Sequence, residues 1–194
     1  MKPRLKNKTV LLVITGSIAA YKIPDLIQTL REEGARVVSV LTEAAKKFVT
    51  PLVVRAVSGE AVYDDFFTVH SPYDVIHTSL AELADLILVA PASANFIARI
   101  AAGLANDLAS SIILAADRPV LLAPAMNDQM YRNSLTQENI QKLKKLGFQF
   151  TDPIEGHLIC GKEALGHISE PETIIDRVVE ILNSSRRRAL PKKK

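Results

Sequence analysis

Two short segments in the second half of the chain carry groups suited to chemistry. Pro124-Ala125-Met126-Asn127 ends in a carboxamide that can donate and accept hydrogen bonds, and Cys160-Gly161 holds the only thiol. Gly156, Gly161 and Gly166 surround Cys160 at loop-like spacing, a setting for a movable flap that delivers a thiol rather than a core that hides one. Upstream, the apolar run Val10-Leu11-Leu12-Val13-Ile14 leads into Gly16-Ser17-Ile18 and then into helix-forming sequence. Such a strand–turn–helix junction can hold a phosphate on backbone N–H groups. The full G-x-G-x-x-G pattern is absent, so a single phosphate fits better than a pyrophosphate. His77 sits between a polar stretch and an apolar helix-like segment ending at Asp85, where an imidazole could take or share a proton. Each group also has a plainer use: Ser93, Asn95 and Asn127 as helix caps, His77 as a surface or capping residue, Cys160 as a buried thiol, Met126 and Met130 as packing groups. Together they suggest a phosphate-bearing cofactor under a lid that carries a thiol.

These groups need a scaffold, and the hydrophobic pattern supplies one. The spacing predicts strands over 10–14, 37–41, 86–90 and 120–123 and a short strand over 148–150. Their continuous β-branched runs suit strands covered on both faces of a parallel sheet. Helices are predicted over 18–33, from Glu43 towards Phe48, from Pro51, over 95–102, 107–115, 136–146 and 171–182. Alternation of this kind implies an α/β fold: a doubly wound, mostly parallel sheet with helices on both faces, the Rossmann/flavodoxin-like three-layer sandwich. In such sheets the ligand crevice lies beyond the carboxyl ends of the strands. The residues just past each strand are therefore informative: Gly16-Ser17, Thr42-Glu43, Pro91 to Asn95, and Pro124 to Asn127. Small, hydroxyl and amide residues at all four ends suit a neutral-to-anionic ligand held by backbone amides and short side chains.

With 194 residues the chain is long enough for one well-buried domain. The expected organisation is a basic N-terminal extension over 1–7, the domain over 8–183 and a solvated, disordered basic tail over 184–194. The net charge of +3 comes from those ends, and the body between them is acidic. Without aromatic interleaving or zinc-ligand spacing, no nucleic-acid partner and no metal are expected. No run approaches the roughly 18 apolar residues of a membrane span, so no membrane partner is expected either. One cysteine and no cleavage-site pattern favour a reducing, cytoplasmic setting.

Taken in order, the segments resemble the homo-oligomeric flavin-containing cysteine decarboxylases, most of all those acting on 4′-phosphopantothenoylcysteine in coenzyme A biosynthesis. The matching stretches are Gly16 to Lys22, Thr42 to Pro51, His77 with Leu80 and Ala84-Asp85, Pro91 to Arg99, Ala101 to Leu108, Pro124 to Tyr131, and Cys160-Gly161. The resemblance implies FMN, held without covalent linkage by Gly16, Ser17, Ile18, Thr42, Ser93, Ala94, Asn95, Phe96 and Ala125. It implies His77, Cys160 and Asn127 as catalytic residues, and substrate contacts from Met126, Asn127, His157, Leu158 and Ile159. In the implied chemistry the substrate thiol is oxidised to a thioaldehyde, carbon dioxide leaves, and the enethiolate is reduced and protonated from Cys160. A homotrimer or dodecamer with sites between subunits is implied too. Ala164 and His167 stand where many relatives carry glycine and arginine. A peptidyl C-terminal cysteine decarboxylase, a flavin prenyltransferase and a non-catalytic flavin-binding regulatory subunit remain alternatives. The basic end at Lys194 suits either a free-standing protein or a piece of a fusion with a synthetase.

Overall fold

Val10, Leu12 and Ile14 point to one side of the first strand and Leu11 and Val13 to the other, and all five are fully buried. A strand apolar on both faces must be covered on both, and this chain does so with helices. The computed structural model describes residues 3–67, 75–157 and 163–189. Its main sheet contains β1 (Thr9–Ile14), β2 (Arg36–Leu41), β3 (Val62–Tyr63), β4 (Leu86–Ala92), β5 (Val120–Pro124) and β6 (Gln149–Phe150). All pairings are parallel and the order is β3-β2-β1-β4-β5-β6. The chain winds outward from β1 in one direction, then returns to β4 and winds out in the other. The switch point therefore lies between β1 and β4, where two neighbouring strand ends send their loops apart.

One face is packed by α1 (Ile23–Glu32), α2 (Pro51–Ser58) and α8 (Pro171–Ala189), whose Ile23, Ile27, Val54, Ile174 and Val178 meet Leu12, Ile14 and Leu88. The other is packed by α3 (Ile76–Leu83), α4 (Ala94–Ala101), α5 (Leu108–Ala115) and α7 (Ser134–Lys145), through Leu80, Phe96, Ile97, Ile112 and Ile140 against Leu11, Val13 and Val89. A short α6 (Asp128–Arg132) precedes α7. Two strands outside the main sheet, β7 (Ile154–His157) and β8 (Glu163–His167), pair antiparallel. The doubly wound parallel sheet expected from the sequence is the fold observed.

Several boundaries differ from the sequence reading. The helix predicted over 18–33 is a 3-10 turn over Ile18–Lys22 followed by α1, because Pro24 has no N–H to continue a helix and serves instead in the first turn of a new one. The helix expected from Glu43 is only a 3-10 turn over Ala45–Lys47. The helix predicted to end at Leu182 runs on to Ala189, into the segment expected to be a disordered tail. β3, α6 and the β7–β8 hairpin have no counterpart in the sequence reading, since none is long enough for a hydrophobic period to show.

Candidate active site

At the switch point Thr15 follows β1 and is almost fully buried. Its hydroxyl donates to the Pro91 carbonyl at 2.6 Å and accepts from the Ser93 N–H at 2.9 Å. That bridge holds the ends of β1 and β4 together while their loops diverge. Ser17 has extended backbone; its Oγ accepts from the Ala19 N–H and donates to the Ala125 carbonyl at 3.1 Å, tying the first loop to the one after β5. Ser93 caps α4 by accepting from the Phe96 N–H, and the Ala125 N–H donates to the Ala92 carbonyl. Thr42 donates its N–H to the Ile14 carbonyl, which binds the loop after β2 to the end of β1. There the approach is so close that a Cβ on Gly16 would lie 2.4 Å from the Ala44 Cβ.

These loops enclose a cavity of about 960 Å³ at the carboxyl edge of the sheet, near the upper end of small-molecule sites. Its acidic lining groups are already matched. Lys46 reaches Glu43 at 2.6 Å and Asp64 at 3.0 Å, and these hydrogen bonds push its ammonium above the usual lysine range. Arg99 pairs with Asp107 across the gap between α4 and α5. Asp107 also caps α5, accepting from the Ser110 N–H at 2.8 Å in a reciprocal capping box. Lys22 stands 4.0 Å from Glu170. The remaining wall is built of backbone N–H groups, hydroxyls, the carboxamides of Asn95, Asn106 and Asn127, the His167 imidazole and apolar side chains, chemistry suited to a flat, partly anionic ligand.

Asn127 caps α6: its Oδ1 accepts from the Gln129 and Met130 N–H groups at 3.0 and 3.4 Å. The Met126 N–H donates to the Gly166 carbonyl at 3.1 Å, which docks β8 on the same loop. Gly166 has φ +148°, and a Cβ there would lie 2.1 Å from the Met126 carbonyl oxygen.

Every residue expected to touch the cofactor lines this cavity: Gly16, Ser17 and Ile18, Thr42, Ser93 to Phe96, and Ala125. Met126 and Asn127 line it as well. His77 does not. It lies half-buried on α3 with its ring edge-on to Phe66, centroids 6.0 Å apart. Leu158, Ile159 and Cys160 fall outside the described residues, as does the side chain of His157. The sequence reading missed Thr15, Asp64, the Arg99–Asp107 pair and the cavity position of His167. The Asp107-to-Ser110 spacing carries a legible capping signature; the others depend on which loops meet. Among the described residues no group of three or more His, Cys, Asp or Glu is placed to hold a metal, and no helix is long and apolar enough to cross a membrane.

Fold and crevice together define a doubly wound α/β protein with a cavity of ligand size at its switch point. The family model described as Flavoprotein matches residues 2–183. The chain belongs to the flavoprotein family. It is 48% identical over 171 residues to the coenzyme A biosynthesis bifunctional protein CoaBC of Vibrio vulnificus, an alignment spanning 88% of this chain and 43% of that one. The chain thus spans less than half the length of the curated relatives it matches. Among solved structures it resembles a PPC decarboxylase mutant complexed with pantothenoylaminoethenethiol, with TM-score 0.80 and 33% identity, covering 92% of this chain and 97% of the other. It also resembles the FMN-dependent cysteine decarboxylase SpaF, with TM-score 0.82 and 28% identity, covering 94% and 99%.

Proposed function

We propose that this chain binds FMN in the crevice and decarboxylates 4′-phosphopantothenoylcysteine to 4′-phosphopantetheine, a step of coenzyme A biosynthesis, in the cytoplasm. The observation that carries this reading is the convergence of Gly16–Ile18, Thr42, Ser93–Phe96 and Ala125–Asn127 on one cavity in a chain so similar to CoaBC. The residues fit the cofactor. Gly16 is a cradle that a single Cβ would fill, Ser17 and Ser93 head helical turns beside it, and the acids of the wall are paired. When bound, FMN supplies an electron sink that takes an electron pair from the substrate thiol and returns it after carbon dioxide has left.

The chain's own residues then have separable tasks. Asn127 spends its Oδ1 on capping α6, so its Nδ2 is the group that donates to the substrate carboxylate or amide and orients it. Cys160 gives its proton to the enethiolate carbon in the reductive half of the reaction. His77 takes the thiol proton or orients the carboxylate.

Because His77 lies outside its own chain's cavity, it serves the cavity of a neighbouring copy. A homotrimer, or a dodecamer built from trimers, is the proposed assembly. Exposed apolar side chains beside His77 (Phe67, 85% exposed, and Val75, 57%) and at the cavity (Ile18, Tyr21 and Met130) support a contact between copies.

The test is direct. Purified protein should show flavin absorbance and release carbon dioxide from 4′-phosphopantothenoylcysteine in preference to a peptide ending in cysteine. Cys160→Ser should still release carbon dioxide but accumulate the unsaturated enethiol. A colourless protein that takes up no FMN, or a Cys160→Ser variant that yields saturated thiol normally, would refute the reading.

A further inference from the structure

Three details of the β7–β8 hairpin act together on one side chain. Ala164 pairs with Gly156 and Leu165 with Glu155, but Ile154 pairs with His167, so Gly166 is an extra residue in β8. A one-residue bulge reverses the face on which every later side chain stands. Without it His167 would share the face of Leu165; with it, His167 shares the face of Ala164, Gly156 and Ile154. Gly166 tolerates the bulge because it has no Cβ: φ is +148°, and a side chain would strike the Met126 carbonyl oxygen.

The second detail is Gly156. A Cβ built there would lie 2.9 Å from His167 Cδ2, 3.2 Å from Nε2 and 3.3 Å from Cγ. The imidazole is therefore laid across bare backbone, in space that any larger residue would occupy. The third is the hydrogen bond from the Met126 N–H to the Gly166 carbonyl, which fixes the bulge one residue before Asn127. Their joint result is that His167 lines the cavity, while His77 does not.

We propose that His167 is a specificity-determining residue that touches the substrate and holds one of its anionic groups, a carboxylate or a phosphate. The proposal rests on the decarboxylase function argued above. The charge pattern of the wall favours it. Glu43 and Asp64 are engaged with Lys46, and Asp107 with Arg99, so an anion entering beside His167 meets acids that are already neutralised. The other charged groups on elements packed against the hairpin are Glu155 on β7, Asp128 and Arg132 on α6, and Lys22 with Glu170 near the end of β8.

The experiment measures KM, kcat and FMN affinity at neutral pH for wild type, His167→Gln, His167→Arg and Gly156→Ala. A direct contact with the anion predicts a KM about tenfold higher in His167→Gln than in wild type, with kcat little changed. His167→Arg, which keeps a donor for an anion at the same place, should hold KM close to wild type. Gly156→Ala leaves the imidazole present but displaced, and should raise KM as His167→Gln does. FMN affinity should be unchanged in all of them, which separates a substrate contact from a contact with the cofactor's own phosphate. Repeating the series with pantothenoylcysteine, which lacks the phosphate, identifies the group held: a difference that vanishes assigns the phosphate, one that persists assigns the carboxylate. A His167→Gln KM equal to that of wild type, or a loss of FMN affinity with KM unmoved, overturns the proposal alone. A wild-type enzyme that releases no carbon dioxide from either substrate sinks the function as well.

Discussion

Gly16 offers a test in which a clash is created and then removed. Its φ is not in the left-handed region, so alanine is conformationally acceptable there and the obstacle is contact alone. The added Cβ would sit 2.4 Å from the Ala44 Cβ, about 1 Å inside the closest ordinary carbon–carbon separation. Either the loop after β1 or the loop after β2 must move by about that amount, at the wall of the cavity. Overpacking of this size costs about 1–3 kcal/mol, and Gly16→Ala should lower stability by that much in urea denaturation. Displaced N–H groups and hydroxyls should weaken FMN binding by about tenfold or more, read by flavin fluorescence. Ala44→Gly removes the opposing methyl and leaves the Ala44 Cα and carbonyl carbon at 3.4 Å, an ordinary contact. Alone it should cost about 0.5–1 kcal/mol through backbone entropy. The double variant should therefore recover most of the stability and FMN affinity lost by Gly16→Ala, with a coupling energy of about 1–2 kcal/mol. Strictly additive effects would show that Gly16 is glycine for some reason other than this contact.

Other perturbations probe the same geometry. Gly166→Ala should release the β7–β8 hairpin from the Met126 loop while the main sheet stays intact; amide exchange should quicken at 163–167 and not in β1 or β4, and unchanged exchange at both would contradict the docking role. Asp107→Ala removes an N-cap, a capping box and the partner of Arg99 at once, and should cost about 2 kcal/mol in thermal or urea melts; a loss below about 0.5 kcal/mol would argue against the pair as a support of the cavity wall. For Asp85, desolvation raises the carboxyl, but the Lys8 ammonium at 2.5 Å and the Thr9 N–H at 2.8 Å outweigh it and hold it below the usual range. A lowered carboxyl stabilises the fold above its unfolded value, and that contribution disappears as pH falls through the folded one. Asp85→Asn should thus be about 1 kcal/mol less stable than wild type at neutral pH, with the gap closing in acid; a gap independent of pH would refute the assignment.

The separate parts of the binding wall are legible in the residues because they are local. Continuous Val, Leu and Ile runs specify strands buried on both faces, and Ser93 or Asp107 heading an apolar helix is a cap whatever lies around it. For the same reason Gly16, Thr42, Ser93 and Ala125 could be assigned to strand ends, and those ends to one edge of a parallel sheet. Boundaries were less legible where a single residue overrode a period, as Pro24 does in dividing the stretch over 18–33.

What the tertiary structure alone decided is which of those pieces touch. The strand order places β1 beside β4, and only then do Thr15, Pro91 and Ser93 form one hydrogen-bonded bridge. Strand order comes from pairings between residues far apart in the chain, which no local pattern encodes. The same is true of the bulge at Gly166: one unpaired residue decides whether His167 faces the cavity, and the sequence around it reads identically in either register. His77 illustrates the converse, a residue recognised from its motif whose distance from the cavity emerged only when α3 was packed against the sheet. Chemistry-bearing residue types can be recognised one segment at a time, but their meeting is a property of long-range packing.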